Sequence, residues 1–434
     1  MAGHRVTLTP PDAASAVPAA PVALYVHIPF CVGLCPYCDF VVVAGAAARG
    51  PRNRIASFLA ALHAELGLRA DALDRRWGPP GERPVLGSVY LGGGTPSLIP
   101  PSGVRELLDL VRDRFGLADD AEVTLEANPG RDERGDPELL RRAGVTRLSI
   151  GAQSLQDAEL RRLGRRHRAA DVVEAVAEAR AAGIASIGLD LLYDVPEQTQ
   201  ASWIETLDAA LDLAPDHLSL YALTLDDPDA EGLTGPLGDH LPTTAGARRW
   251  RRLAAAEQDE DRAAAEYHHA TVRLSEAGYR GYEISNWARP GHESRHNLVY
   301  WRRAAYEAVG PGAHAFDGVT RRWNAARLDG YLDALWPADG GQPRLPPGGD
   351  EAIHGATERV ERTILGLRLD DGLPLTAATE WPLAGEFGWA LAAELVTVTP
   401  EDRIVLTTRG RLLSNELFSR LIDVDTVAGS GPVR

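Results

Sequence analysis

The residues of this chain best suited to chemistry are its three cysteines, Cys31, Cys35 and Cys38, gathered in one short run with none elsewhere to pair with. Three thiols at this spacing make no disulfide framework. Positions i, i+4 and i+7 would share a helix face, but Pro29, Gly33 and Pro36 argue for an irregular loop. Such a loop can wrap three thiolates around an iron–sulfur cube, each on a different iron, leaving the fourth iron open to a substrate or cofactor. The same thiols with His27 could instead close a Cys₃His zinc site. Five further groups carry chemical potential: Gly92–Gly94 with Thr95, Glu126 with Asn128, Gln153, Asp190, and Tyr221 with Thr224.

Each group follows an apolar stretch that reads as a β-strand: Ala23–Ile28, Ser88–Leu91, Glu122–Leu125, Arg147–Ile150, Ser186–Leu191 and Leu218–Leu223. Helical periodicity fills the gaps. Ile55, Phe58, Leu59, Leu62 and Leu66 repeat at i, i+3, i+4, i+7 and i+11, and Val104, Leu107, Leu108, Val111 and Phe115 repeat the pattern. Val172, Val173, Val176 and Ala179 form a third stripe that Gly183 ends. The alternation predicts an α/β protein, a partial (β/α)₆ barrel over 21–245, with the chemical groups gathered on the rim where the strands end. Residues 226–275 are polar and rich in Ala, Arg and Glu, a loop followed by helix. Residues 246–335 read as a connecting helical segment and 336–350 as a Pro/Gly linker. The remaining 351–434 form a smaller α-rich domain, with a helix at Glu358–Leu369 and a hairpin or wing at Arg403–Thr408 before a helix at Arg411–Leu421.

Composition sets the limits. The 434 residues are 44% hydrophobic and 24% charged, enough for a real core and against a disordered or fibrous chain. Lys+Arg 45 against Asp+Glu 61 leaves −16, and the basic residues are all Arg. So acidic a chain is a poor non-specific nucleic-acid binder. No run of about 18 apolar residues offers a membrane span. Residues 1–20, broken by Pro10, Pro11 and Pro18, read as a disordered leader without a secretory signal's apolar region, on a cytoplasmic protein.

The run Tyr25-Val-His-Ile-Pro-Phe-Cys31-Val-Gly-Leu-Cys35-Pro-Tyr-Cys38 resembles the C-x₃-C-x₂-C signature of the radical S-adenosylmethionine superfamily. The resemblance continues through Gly92-Gly-Gly-Thr-Pro96, Glu126-Ala-Asn-Pro129, Ser149-Ile-Gly-Ala-Gln-Ser154 and Leu189-Asp-Leu-Leu192. It reaches Tyr282-Glu-Ile-Ser-Asn-Trp-Ala-Arg-Pro290 and His296-Asn-Leu-Val-Tyr-Trp301, covering about residues 22–421. Within the coproporphyrinogen-oxidase-like branch, the last motif is most similar to the bacterial haem chaperone family.

That resemblance implies a radical S-adenosylmethionine barrel with a winged-helix-like carboxy-terminal domain, and a haem chaperone that passes haem to an acceptor protein. The alternative it offers is an oxygen-independent coproporphyrinogen III oxidase. Cys31, Cys35 and Cys38 would hold a 4Fe–4S cluster. Tyr25, Tyr37, Gly93, Gly94, Thr95, Glu126, Gln153, Arg165 and Asp190 match positions that contact S-adenosylmethionine. His296, with Asn297 and Tyr300, is the implied haem site, with His314 and His292 in reserve. Arg302 and Arg303 are expected, from the match of guanidinium to carboxylate geometry, to pair with the propionates. The implied partners are haem, an acceptor protein and an electron donor, with a monomer or a cluster-dependent dimer. Two features depart from the oxidases. They carry a further cysteine where this chain has Phe40, and a longer extension before the first cysteine. Tyr193-Asp-Val-Pro196 also differs from the more usual Gly-Leu-Pro. With Met1 the single methionine and the cysteines committed, a haem iron would have only His or Tyr as axial ligand.

Overall fold

The computed structural model describes residues 17–48, 53–225, 227–337 and 340–428, so most of the expected leader lies outside the described residues. All six expected strands form: β1 (Ala23–Ile28), β2 (Leu86–Gly93), β3 (Leu117–Ala127), β4 (Arg147–Gln153), β5 (Ser186–Tyr193) and β6 (His217–Ala222). They pair side by side in sequence order, all parallel. The helices between them include α1 (Ile55–Trp77), α2 (Pro101–Phe115), α3 (Ala169–Ala181) and α4 (Gln200–Asp212).

Two findings differ from the sequence reading. The segment expected to be a helical connection does contain α5 (Ala245–Ala255), α6 (Glu260–Glu276) and α7 (Arg295–Trp301). It also supplies strands. β7 (Asn286–Ala288) joins β6 antiparallel, and β8 (Glu307–Val309) joins β1 parallel, extending a nine-stranded open sheet at both ends. β9 (His314–Phe316) and β10 (Thr320–Asn324) form a small sheet with β11 (Gly348–Ala352), which begins inside the expected linker. Strands of three to five residues are too short to show a period-2 pattern.

The two faces of the main sheet differ in kind. Leu24, Val26, Val89, Leu125, Leu148, Ile187 and Leu218 point outward into one core with the helices. The opposite face is polar yet buried: Ser88, Thr124, Arg147, His217 and Ser219 are each at most 3% exposed. Buried polar groups need partners, and the chain from Tyr282 to Trp301 supplies those of Ser88, Arg147 and His217. Tyr282 Oη lies 2.8 Å from His217 Nε2, Arg147 donates to the His292 carbonyl at 2.8 Å, and His296 Nδ1 lies 3.0 Å from Ser88 Oγ. Ser294 caps α7 by accepting from the Asn297 amide.

A separate core forms carboxy-terminally around Val360, Leu367, Leu383, Leu417, Phe418 and Leu421. Its strands Val396–Val398 and Arg403–Leu406 pair antiparallel as the expected wing. It is tied to the barrel by Arg303 to Glu361 at 3.0 Å and Arg368 to Glu283 at 3.1 Å.

Glu65, fully buried on α1, fastens the β8 end of the sheet. It accepts from Arg69, the Gly310 amide at 2.9 Å, Asn324 at 2.8 Å and Tyr331 at 2.8 Å. Glu65→Ala leaves the Gly310 amide and the Tyr331 hydroxyl without their acceptor and removes the carboxylate beside Arg69, and we expect a loss of about 3–5 kcal/mol, read as a lowered denaturant midpoint.

Candidate functional site

The three cysteines sit where β1 gives way to the loop before α1, beside the glycine-rich end of β2. The loop is fastened from several directions. His27 Nε2 bonds the Val41 carbonyl at 2.9 Å, and the Thr95 amide donates to the Phe30 carbonyl at 2.7 Å. From outside the barrel, Arg251 of α5 donates to the carbonyls of Pro36 at 3.1 Å and Cys38 at 2.9 Å. Trp250 beside it packs on Tyr37 with ring centroids 6.3 Å apart. His27 also meets Tyr25 Oη at 3.0 Å through Nδ1, so both its ring nitrogens are spent and the Cys₃His zinc site is not built.

A hydrogen-bonded arc joins two of the thiols. Cys31 Sγ lies 3.2 Å from Thr95 Oγ1, which accepts from Asn128 Nδ2 at 2.9 Å. Arg165 donates to Asn128 Oδ1, to the Gly151 carbonyl at 2.9 Å, and to Cys35 Sγ at 3.5 Å. The Arg-rich stretch around Arg165 could have been a solvated helix face; its guanidinium instead faces the thiols. Burial pushes the Cys31 thiol up to about 12 and raises Cys38, with Cys35 nearby adding to both. Thiols so disfavoured as thiolates need a cation among them, as iron would provide.

The shelf facing them excludes side chains. A Cβ on Gly94 would lie 2.6 Å from the Phe30 carbonyl oxygen and 3.1 Å from Cys31 Sγ. Gly93 adopts φ +114°, and a Cβ there would strike the His27 ring at 2.5 Å. The Gly93 amide donates to Glu126 Oε2 and Tyr90 Oη to Glu126 Oε1, each at 2.9 Å. Asp190 accepts from Ser149 at 3.1 Å, and burial raises its carboxyl despite the hydroxyls of Ser219 and Ser149. Gln153 closes β4 at φ +65°, a left-handed position a non-glycine holds only under constraint. Three thiols, a shelf without side chains, and paired carboxylates fit a cluster with an amino-acid-bearing cofactor.

The structure therefore brings the cysteines, Gly93, Gly94, Thr95, Glu126, Arg165 and Asp190 to one rim, with Tyr37 packed behind the loop. Tyr25 lies one layer below, its hydroxyl on His27. The second group lies deeper. His296 is 1% exposed, with Nδ1 on Ser88 and Nε2 2.8 Å from Tyr300 Oη, and burial lowers its pKa to about 3. In this arrangement neither ring nitrogen is available to an iron. Asn297 is half-buried and gives its amide to Ser294. Arg303 is packed over Phe316 at 4.6 Å and paired with Glu361, tying the two modules together. Arg302 pairs at 3.6 Å with Asp371. Tyr90 joins the two layers, its hydroxyl on Glu126 and its ring 5.2 Å from His296. A cavity of about 540 Å³ adjoins the second group, lined by Tyr306, whose ring centroid lies 4.7 Å from that of Tyr300, and among others by Arg69, Arg322, Phe316 and Trp323.

Sequence reading missed Tyr90, Arg251 and Trp250 as supports of this site. Tyr90 at the end of an apolar strand was indistinguishable from core, and the arginines of α5 from a solvated face.

The Radical SAM superfamily signature matches residues 25–210. Heme chaperone HemW of Mycobacterium tuberculosis is 39% identical over 409 residues, 94% of this chain and 96% of that protein. Heme chaperone HemW of Synechocystis sp. is 32% identical, covering 92% of this chain and 96% of its own. The chain belongs to the HemW family of the radical SAM superfamily. Like other radical SAM proteins, this HemW-family member uses a 4Fe–4S cluster and S-adenosylmethionine. Its fold is also similar to that of coproporphyrinogen III oxidase (HemN) from Escherichia coli, with a TM-score of 0.71 at 23% identity over 94% of this chain and 91% of that one. Among the described residues no helix is long and apolar enough to cross a membrane.

Two outcomes follow from the geometry. Arg251→Ala frees the cysteine-loop carbonyls, and iron affinity on anaerobic reconstitution should fall roughly tenfold, the usual cost of losing an outer-shell support. Burial raises the Glu126 carboxyl from 4.5 to about 7, more than its bonds from Tyr90 and Gly93 lower it. Between those values the folded chain holds a proton the unfolded chain has lost, so this group makes stability fall as pH rises. Glu126→Gln should flatten that part of the melting temperature against pH curve.

Proposed function

We propose that this protein is a cytoplasmic haem chaperone of radical SAM type, binding haem and handing it to an acceptor protein. The observation that carries this reading is that proteins named as haem chaperones align with it over nearly its whole length, both modules included. Cys31, Cys35 and Cys38 hold the 4Fe–4S cluster, and Gly93, Gly94 and Thr95 receive the amino-acid end of S-adenosylmethionine. Tyr25, Tyr37, Glu126, Gln153, Arg165 and Asp190 complete that pocket, as neighbours or as supports. When bound, the cluster and cofactor supply one-electron chemistry, which requires an electron donor.

The chain's own residues perform separate tasks. Arg165 sets a fixed positive charge against Cys35 and holds the arc to Thr95 in place. The glycines admit a ligand close to the backbone, and Glu126 orients the Gly93 amide. Tyr37, packed against Trp250, shields the cysteine loop on its outer side. Phe40, 65% exposed, stands where the oxidases carry a further cysteine, which supports haem handling over porphyrinogen decarboxylation.

The test is anaerobic. Cluster-reconstituted protein is given S-adenosylmethionine, a reductant and coproporphyrinogen III, and separately ferric haem followed by a haem-free acceptor. We expect no protoporphyrinogen, and a haem complex that transfers its haem. Decarboxylated product, or failure to bind haem, overturns the reading.

A further inference from the structure

If the cysteines hold the 4Fe–4S cluster, the surface around them decides how an electron reaches it, and the inference rests on that reading. The chain carries −16 overall, yet two of its segments are purely basic. Residues 161–168 hold five arginines and residues 245–256 hold four, with no Asp or Glu in either. Both segments border the cysteine loop. A Cβ on Gly164 would lie 3.0 Å from Pro36 Cδ, and one on Gly33 would lie 3.4 Å from Arg166 Cδ. α5 holds the loop through Arg251 and Trp250, and Trp250 Nε1 also donates to the Arg162 carbonyl at 3.1 Å, joining the two segments.

The remaining arginines of these segments turn outward. Arg248, Arg249 and Arg252 of α5 are exposed, as are Arg161, Arg166 and Arg168. Arg248 pairs with Asp229 at 2.8 Å and Arg166 lies 3.9 Å from Glu133. No carboxylate among the described residues pairs with Arg161, Arg168, Arg249 or Arg252. Exposed arginines elsewhere have such partners, as in Arg112 with Asp109 and Arg142 with Glu138. A cationic rim left unneutralised on an acidic protein favours a partner of opposite charge. Inside the rim the loop presents Leu34, 44% exposed, and Phe40, 65% exposed, while the three thiols are half-buried. An apolar centre ringed by arginine is the anatomy of a protein–protein contact, and electron-transfer contacts are small and steered by charge.

The position selects the partner. Electron transfer weakens steeply with distance, so a donor must approach the cluster, and Leu34 and Phe40 lie on the loop that carries the thiols. His296 and Tyr300 lie beneath the rim, so a protein that takes haem gains nothing by docking here. Nucleic acid is opposed by the charge of the whole chain. We propose that the cysteine loop, with the arginines of 161–168 and α5, is the docking surface for a small acidic protein bearing a one-electron cofactor. One electron leaves the reduced cofactor of that carrier and enters the cluster. The carrier is oxidised by one electron and the cluster reduced by one, and no group is transferred.

The probe is flavodoxin, a small acidic flavoprotein. Its binding to the cluster-reconstituted full-length chain is measured by calorimetry at low and high salt. Cluster reduction by reduced flavodoxin or by dithionite is followed by electron paramagnetic resonance. The parent should bind flavodoxin less tightly as salt rises. Arg249→Glu with Arg252→Glu, native by circular dichroism, should bind at least about tenfold more weakly and accept electrons from flavodoxin more slowly in proportion. Dithionite should reduce it as it does the parent. Arg112→Glu with Arg142→Glu makes the same change of charge where the chain returns to the starts of β3 and β4, and should leave binding unchanged. A parent that dithionite reduces but flavodoxin does not bind overturns the proposal. So does an Arg249/Arg252 variant that binds as the parent does, a control pair that loses as much, or tighter binding of random duplex DNA than of flavodoxin. A parent in which dithionite reduces no cluster undoes the cluster reading instead.

Discussion

The structure is organised by the need to satisfy a buried sheet face that is polar. Parallel strands covered on both sides are normally apolar on both. Here the alternate positions of the central strands carry mostly Ser, Thr, Tyr, Arg, His and carboxylates, interrupted by Gly92, Gly151 and Gly188, and an unpaired polar group in such a place costs several kcal/mol. The lower half of that face is closed by the chain from Tyr282 to Trp301. The upper half is left for a ligand, lined by carboxylates that burial holds above their ordinary range. The same rule therefore makes the fold shut at one end and receptive at the other.

This division explains why the HNxxYW motif lies beneath the rim. His296 and Tyr300 satisfy each other, Ser88 and, by ring contact, Tyr90. A motif can be characteristic of a family because it seals an interior as readily as because it touches a ligand.

Much of this was legible in the sequence. The strand Ala23–Ile28 ends where its apolar pattern ends, and the other five central strands differ from their patterns only at the ends, because long stretches packed against helices declare themselves by composition. The rim clusters also follow from topology, since parallel strands present their carboxyl ends together. What was not legible depends on contacts between distant segments. Arg165 reads as one arginine among many until its partners Asn128 and Cys35 are placed. β8 and β7 are three residues each, and only an existing sheet edge makes them strands. Asp239 and His314 are 75 residues apart, and nothing local to either suggests a shared hydrogen bond.

The hold of Arg251 on the cysteine loop has a consequence for how the protein is made. The bonds from Arg251 to Pro36 and Cys38 span 215 and 213 residues of chain. Contacts of such separation form late, and during synthesis they cannot form until the later segment has left the ribosome. The cysteines emerge early, yet their loop has its full set of supports only after α5 is synthesised and docked. A growing chain therefore carries three thiols through about half of its synthesis without that support, open to oxidation or to stray metals. The order of events, helix docking before iron delivery, is written into the separation of Arg251 from the loop it holds.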